Sequence, residues 1–274
     1  MIDILIFSKN RACQLDLLLH SINDNFKELN NINILFTFSN NFYESGYDKL
    51  MLKYPNCNWY EEDNFYNNTK NIINSFKSDV CLFFVDDEII IRDYSILKYL
   101  NLFYEYKNIH SISLRMNCNI NFGYAANQIA NKPNLQYINS ENFCYLWNWQ
   151  TQQLYDEWGY PAAINSSIYQ TQFIKNIINT VSFKAVNSLE IALLQCKSNF
   201  KSKMIGFNES KTILLANNIV QTEGYNRHSN KYSLEFLNNK YLCNYIINPI
   251  PFYNINYNMV CIESDYEFIE DNNV

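Results

Sequence analysis

Glycine is scarce: the chain has five among 274 residues. A glycine-rich loop that wraps backbone amides around phosphate is therefore not available. Paired metal-binding cysteines are missing as well. Cys13, Cys57, Cys81, Cys118, Cys144, Cys196, Cys243 and Cys261 are scattered singly. With no Cys-x-x-Cys pair, zinc-ribbon and thioredoxin-like chemistry are excluded, and the thiols read as small buried hydrophobes of a reducing compartment. Basic charge falls short too, with 21 Lys and Arg against 27 Asp and Glu and a net charge of −6. That balance argues against a nucleic-acid binder, which carries a basic stripe. No apolar run reaches the length of a membrane span. Met1-Ile2-Asp3-Ile4 lacks the basic start and long apolar stretch of a signal peptide. The expectation is a cytoplasmic protein with no transmembrane segment, peripheral membrane contact remaining open. No internal repeat and no linker rich in Pro, Gly or Ser divides the chain, which predicts one domain.

Apolar residues, by contrast, make up 48% of the sequence and aromatics 16%, ample for a large core. Val80-Cys81-Leu82-Phe83-Phe84-Val85 reads as a strand buried on both faces, as in a parallel sheet covered by helices. Asp86-Asp87-Glu88 follows directly. Acids at the C-terminal end of such a strand sit where open α/β sheets bind ligands. Three adjacent carboxylates repel, and a divalent cation carrying a phosphorylated substrate would neutralise them. The competing reading is a helix N-cap cluster held by the dipole.

The first half alternates strand and helix. Strands are predicted at 2–7, at the alternating Ile32, Ile34, Phe36 and Phe38, near Trp59, and at 80–85. Helical stripes lie between and after them: Leu15 to Ile22, Tyr43 to Tyr54, Phe65 to Phe76, and Ile96 to Phe103. This β-α-β-α-β-α-β pattern predicts an α/β fold with a mixed, mostly parallel sheet flanked by helices. Later, 109–115 reads as a strand and 117–139 as a loop. Phe143, Tyr145, Trp147 and Trp149 alternate as a strand with one aromatic face. Ile168 to Ile178 reads as a helix. A second helix begins at Asn187 as N-cap with Glu190 three positions on. Short strands at 204–207 and 212–216 precede a polar tail from Asn217.

In order, these pieces resemble a GT-A glycosyltransferase of the large family-2 type. Phe7-Ser8-Lys9-Asn10-Arg11 looks like that family's first strand and Asn-Arg turn. Thr69-Lys70-Asn71 looks like its Ala-Arg-Asn element, with Asn71 standing 15 positions before Asp86. Asp86-Asp87-Glu88 resembles the DxD motif, with Glu88 in place of the final Asp. Trp158-Gly159-Tyr160-Pro161 resembles an acceptor-side segment. Asn187 to Leu193 is similar to the helix start that carries the family's Glu-Asp pair, of which Glu190 alone remains here. Ile73 stands where the family has Gly, and Asn165 where relatives have Asp.

The resemblance implies a nucleotide-binding half (1–115), an acceptor half (116–216) and a C-terminal cap (217–274). It also implies a divalent cofactor, Mn2+ or Mg2+, a nucleotide-sugar donor with UDP favoured, and a glycan, lipid-linked glycan or protein acceptor. Glu88 and Asp86, with His228, are the expected metal ligands. Ser8, Asn10, Arg11, Asp63, Asn71, Asp86 and Asp87 are expected at the donor. Arg11 suits diphosphate because its planar fork matches phosphate oxygens, although a solvated helix residue is the plainer alternative. Asp87 is expected to point away, since strand neighbours face opposite sides. Glu190 is the expected catalytic base of an inverting transfer, or else a capping glutamate; Asp156 and Glu157 are fallback bases. Trp149, Trp158 and Tyr160, with Tyr145 and Trp147, offer a stacking platform for acceptor sugars or simply core. Two rivals stay open. A nucleotidyltransferase would need glycines in the first turn, which Ser8-Lys9-Asn10-Arg11 lacks. A non-catalytic glycan-binding protein would keep the fold and lose the base.

Overall fold

The computed structural model describes residues 2–26, 31–139, 144–221 and 227–271. In chain order the elements begin with β1 (Asp3–Lys9), α1 (Ala12–Asn25), β2 (Asn31–Thr37), α2 (Asn41–Lys53), β3 (Asn58–Glu61), α3 (Phe65–Ser75) and β4 (Val80–Val85). Next come β5 (Glu88–Ile90), α4 (Leu97–Leu100), α5 (Leu102–Glu105), β6 (Ile109–Asn117), β7 (Phe122–Gly123), β8 (Gln128–Ile129), β9 (Gln136–Asn139) and β10 (Cys144–Asn148). The chain ends with β11 (Ser167–Gln170), α6 (Thr171–Ile178), α7 (Val186–Gln195), β12 (Lys203–Phe207), β13 (Thr212–Leu215), α8 (Leu234–Leu242), β14 (Tyr245–Ile247), β15 (Cys261–Ile262) and β16 (Phe268–Glu270).

The central sheet has nine strands in the order β3-β2-β1-β4-β11-β6-β12-β10-β9. The first four run parallel, as predicted, and β6 pairs parallel with β12. β11 enters antiparallel between β4 and β6. Alternation along each central strand feeds two cores. Ile4 and Ile6 of β1 and Leu82 and Phe84 of β4 face the layer of α1, α2 and α8. Leu5, Phe7, Cys81 and Phe83 face the layer of α3, α6 and α7. That two-sided burial is why the β4 run is continuously apolar.

Three expectations are corrected. Ile168 belongs to β11 and not to a helix, because Ser167, Ile168 and Tyr169 pair with strands on both sides before α6 begins at Thr171. Residues 117–139 contain β7, β8 and β9 and not just loop. The tail is not simply polar: Leu237, Tyr241, Ile246, Ile247, Phe252 and Tyr266 are buried, and α8 packs on α1 and α2. Lys53 pins this segment, reaching Asp16 at 2.9 Å and Asp271 at 2.7 Å. Phe143 lies outside the described residues. Among those described, no helix is long and apolar enough to cross a membrane.

Candidate active site

β1 and β4 lie side by side with Phe7 opposite Val85, so the turns that leave them meet at one sheet edge. Asn10 takes the left-handed conformation (φ 57°), which asparagine tolerates better than most residues. Its amide donates to Ser39 Oγ at 2.7 Å and its carbonyl accepts from the Ser39 N–H at 2.8 Å. This turn aims Arg11 at the acids. Arg11 Nη1 donates to Asp86 Oδ1 at 2.9 Å and to Asp87 Oδ2 at 2.7 Å. Its Nε and Nη2 donate to the side-chain and backbone oxygens of Asn218 at 2.9 and 2.8 Å. The Lys9 N–H fills Asp86 Oδ2 at 2.9 Å. Burial works against the Arg11 charge, yet Asp87 and Asp86 hold its proton affinity above the ordinary value. Burial likewise pushes Asp86 up, to about 6, against the pull of Arg11.

A cavity of about 490 Å³ opens here, lined by Phe7, Ser8 and Lys9 of β1, Leu35 and Thr37 of β2, and Val85 of β4. Arg11, Asp86 and Asp87 line it, as do Arg115, Glu157, Asn165, Glu190 and His228. It sits beyond the carboxyl ends of the parallel strands. After β3 the chain crosses back over β1 to lay β4 on the other side, which makes this a topological switch point, the usual ligand crevice of such sheets.

The structure brings together only part of the expected constellation. Arg11, Asp86, Asp87, Glu190, His228 and Ser8 line the cavity. Ser8 also shares a 2.7 Å hydrogen bond with the Tyr47 hydroxyl. Asp87 does not point away: the chain leaves β4 at Val85, so strict alternation ends before it. Glu88 is the acid that leaves the cavity. It opens β5, is 1% exposed, and accepts from the Val85 N–H at 2.9 Å and from the Ser166 hydroxyl. Burial pushes its carboxyl up to about 8, against the Ser166 and Val85 hydrogen bonds and the Arg115 charge. Asp63 and Asn71 are exposed and off the cavity wall, Asp63 lying in the loop before α3 and Asn71 on the outer face of that helix. Asn10 shapes the turn and does not reach the cavity.

The aromatic platform is core. Trp149 and Trp158 are 5% and 0% exposed, Trp147 and Tyr145 are buried with them, and Trp147 meets Trp158 edge to face at 5.3 Å. Each indole N–H finds a carbonyl: Trp147 that of Trp158, Trp149 that of Lys201, Trp158 that of Ile120. Large rings whose polar atom is satisfied gain most by full burial. Tyr160 also stays off the wall, its hydroxyl 3.4 Å from Glu190 Oε2.

Glu190 does not cap its helix. α7 starts one residue before Asn187, with Ala185 as N-cap, so Ser188 takes the third position and its hydroxyl accepts from the Lys184 and Ala185 N–H groups at 2.9 Å each. Glu190 is left to face the cavity, with Oε1 accepting from the Ile164 N–H at 2.9 Å. Burial raises its pKa, and burial also raises that of Glu157, which Arg115 pairs at 3.1 Å. His110 is structural: it stacks on Phe200 at 4.1 Å and burial lowers its pKa to about 3.

Sequence reasoning missed Arg115 and Asn218, and marked Asn165 only as a departure from the family. Arg115 carried a usable signal, a lone cation near the end of an otherwise buried strand. Its Nε, like the Asn165 side-chain oxygen, is buried without a partner among the described residues, and both residues line the cavity. Asn218 had no local signal; it meets Arg11 across 207 positions of sequence.

The donor set bears on the implied metal. No group of three His, Cys, Asp or Glu is gathered among the described residues. Both Asp86 oxygens and both Glu88 oxygens are engaged within the protein. Asp87 lines the cavity and, among the described residues, engages its side chain through Oδ2 alone. Divalent ions that serve phosphorylated substrates are commonly held by one or two carboxylates plus the phosphates, so Asp87 fits a one-carboxylate site and the expected Glu88-Asp86 pair does not.

No protein-family profile matches the chain. It is 28% identical over 195 residues to a bifunctional glycosyltransferase, pgtA, of Dictyostelium discoideum. The match takes in 66% of this chain and a quarter (25%) of that protein's length. Among solved structures, TarS of S. aureus superposes on 77% of this chain and 36% of its own, with a TM-score of 0.48 at 12% identity. A mannosyltransferase of Pyrobaculum calidifontis, solved with GDP-Man and Mn2+, covers 76% of this chain and 54% of its own, with a TM-score of 0.44 at 5% identity. Over about two thirds of its length the chain is thus similar in sequence to a glycosyltransferase, and its nine-stranded sheet is the mixed, mostly parallel sheet flanked by helices that its motifs implied.

Proposed function

We propose that this chain transfers a sugar from a nucleoside diphosphate donor, UDP-linked by preference, to a hydroxyl of a glycan, lipid-linked glycan or protein. The observation that carries this reading is the switch-point cavity, which gathers Arg11 with Asp86 and Asp87 and also admits Glu190. Arg11 can turn its fork to the diphosphate, and the positive N-terminal end of α7, whose Lys184 to Asn187 line the cavity, favours the same charge. Asp87 would hold a divalent ion, which when bound offsets charge on the leaving group. Glu190 takes the acceptor proton: its raised pKa strengthens it as a base, and inversion at the anomeric carbon follows from direct attack. Beside it, Arg115 at 3.1 Å opposes the rise that burial gives the Glu157 carboxyl.

The test is thermal unfolding with UDP, GDP and ADP, with and without Mn2+. A ligand at about 100 times its Kd adds roughly 2.7 kcal/mol, or about 5 °C for a chain of this size. UDP with Mn2+ should give that shift, Asp87→Asn should lose most of it, and Glu190→Gln should keep it while abolishing transfer. No shift with any nucleotide would defeat the donor reading and favour a glycan-binding protein that kept the fold.

A further inference from the structure

We propose that Glu88 is a positioning residue: with Ser166 it forms a buried strut that ties the Asp86-Asp87 turn to the segment 164–166, and through Ile164 to Glu190. Its part in sugar transfer rests on the function proposed above; the strut itself rests on geometry. Both carboxylate oxygens of Glu88 are used, one by the Val85 N–H at 2.9 Å and one by the Ser166 hydroxyl. Its backbone is held as well, since β5 pairs with β13 and Leu214 lies opposite Glu88.

At the far end, Ser166 is 0% exposed and sits at φ 49°, a region that residues with a Cβ avoid. Such a conformation persists where the surroundings over-determine it. Here the Ser166 carbonyl accepts from the Leu114 N–H at 2.9 Å while its hydroxyl reaches Glu88. Two residues earlier, the Ile164 N–H donates to Glu190 at 2.9 Å, and Asn165 between them lines the cavity. Three consecutive residues thus bridge the donor acids and the proposed base. An acid that only stabilised the core would be an odd choice, because taking a carboxyl out of water is costly. As a strut it fixes two groups that must act on one bond.

The test separates strut from ligand by calorimetric titration of UDP with and without Mn2+. Glu88→Gln preserves the arrangement, its carbonyl accepting from Val85 and its amide donating to Ser166. It should bind UDP within about threefold of wild type and keep the Mn2+ response, whereas Asp87→Asn loses that response. Ser166→Gly removes the hydroxyl yet suits φ 49°, so it should fold. It should weaken UDP about tenfold, the order expected for one lost hydrogen bond to an acid. Glu88→Ala should do the same, and the double variant should be no worse than either alone. A Glu88→Gln protein that loses the Mn2+ response as Asp87→Asn does would make Glu88 a ligand and overturn the strut; additive losses in the double variant would overturn it too. If wild type binds no nucleotide, the donor reading fails and unfolding midpoints decide the strut, with Glu88→Gln expected at wild-type stability and the Glu88–Ser166 pair expected to be non-additive.

Discussion

Arg11→Met removes every donor that Arg11 supplies while keeping much of the side chain's apolar length. Asp86 and Asp87 would then stay in place at 4% and 11% side-chain exposure with their shared cation gone. Both oxygens of Asn218 would lose their guanidinium donor, though Gln14 still reaches its side chain at 3.1 Å. Removing one partner of a buried ion pair costs about 3–5 kcal/mol, because the remaining charge is uncompensated. Asp87 borders the cavity, where water relieves part of the penalty, so about 3 kcal/mol is expected at pH 7.5. The pH dependence has a definite sign. Burial already holds Asp86 at about 6 with Arg11 present, above the ordinary 3.8, and losing Arg11 raises it further. In that window the folded variant binds a proton the unfolded chain has released, so the variant regains stability as pH falls from 7.5 to 5. Urea denaturation of both proteins at the two pH values, followed by tryptophan fluorescence, measures the deficit. A variant as stable as wild type at pH 7.5, or a deficit that does not narrow at pH 5, would refute the claim that Arg11 neutralises these acids.

Two further outcomes follow from packing and titration away from the acids. His110 stays neutral because burial lowers its pKa to about 3, while the unfolded imidazole charges below its ordinary 6.5. Between those values the unfolded chain binds more protons, so His110 should cost roughly 3 kcal/mol of stability at pH 4.5 relative to pH 7. His110→Phe should remove that slope, since the Pro161 carbonyl keeps the Tyr169 hydroxyl at 3.0 Å; an unchanged slope would show that His110 is not the group responsible. Gly159→Ala should lose about 3 kcal/mol or more, because a Cβ there would lie 1.9 Å from the Gln153 carbonyl oxygen, backbone that cannot step aside. A melting temperature within 2 °C of wild type, well under the shift that such a loss implies, would contradict the turn geometry around Trp158.

The sequence determined the frame and the address of the site. The apolar run at 80–85 could be satisfied only between two helical layers, and the alternation before it left the parallel order of β1 to β4 as the economical solution. Acids after that run have to emerge at the strand's carboxyl end, so the address of Asp86 and Asp87 is written in the sequence. Tertiary structure decided where each neighbouring side chain points. One residue of difference sent Glu88 into β5 and the core, since pairing with β13 begins there. A start of α7 two residues earlier gave the capping role to Ser188 and freed Glu190. Asn218 reached Arg11, and the tail found α1, through contacts between residues some 200 positions apart, which no local period encodes. Periodicity reports which face of an element is apolar; the partner of a polar group is chosen by whatever the fold carries to it, and burial then makes that choice binding.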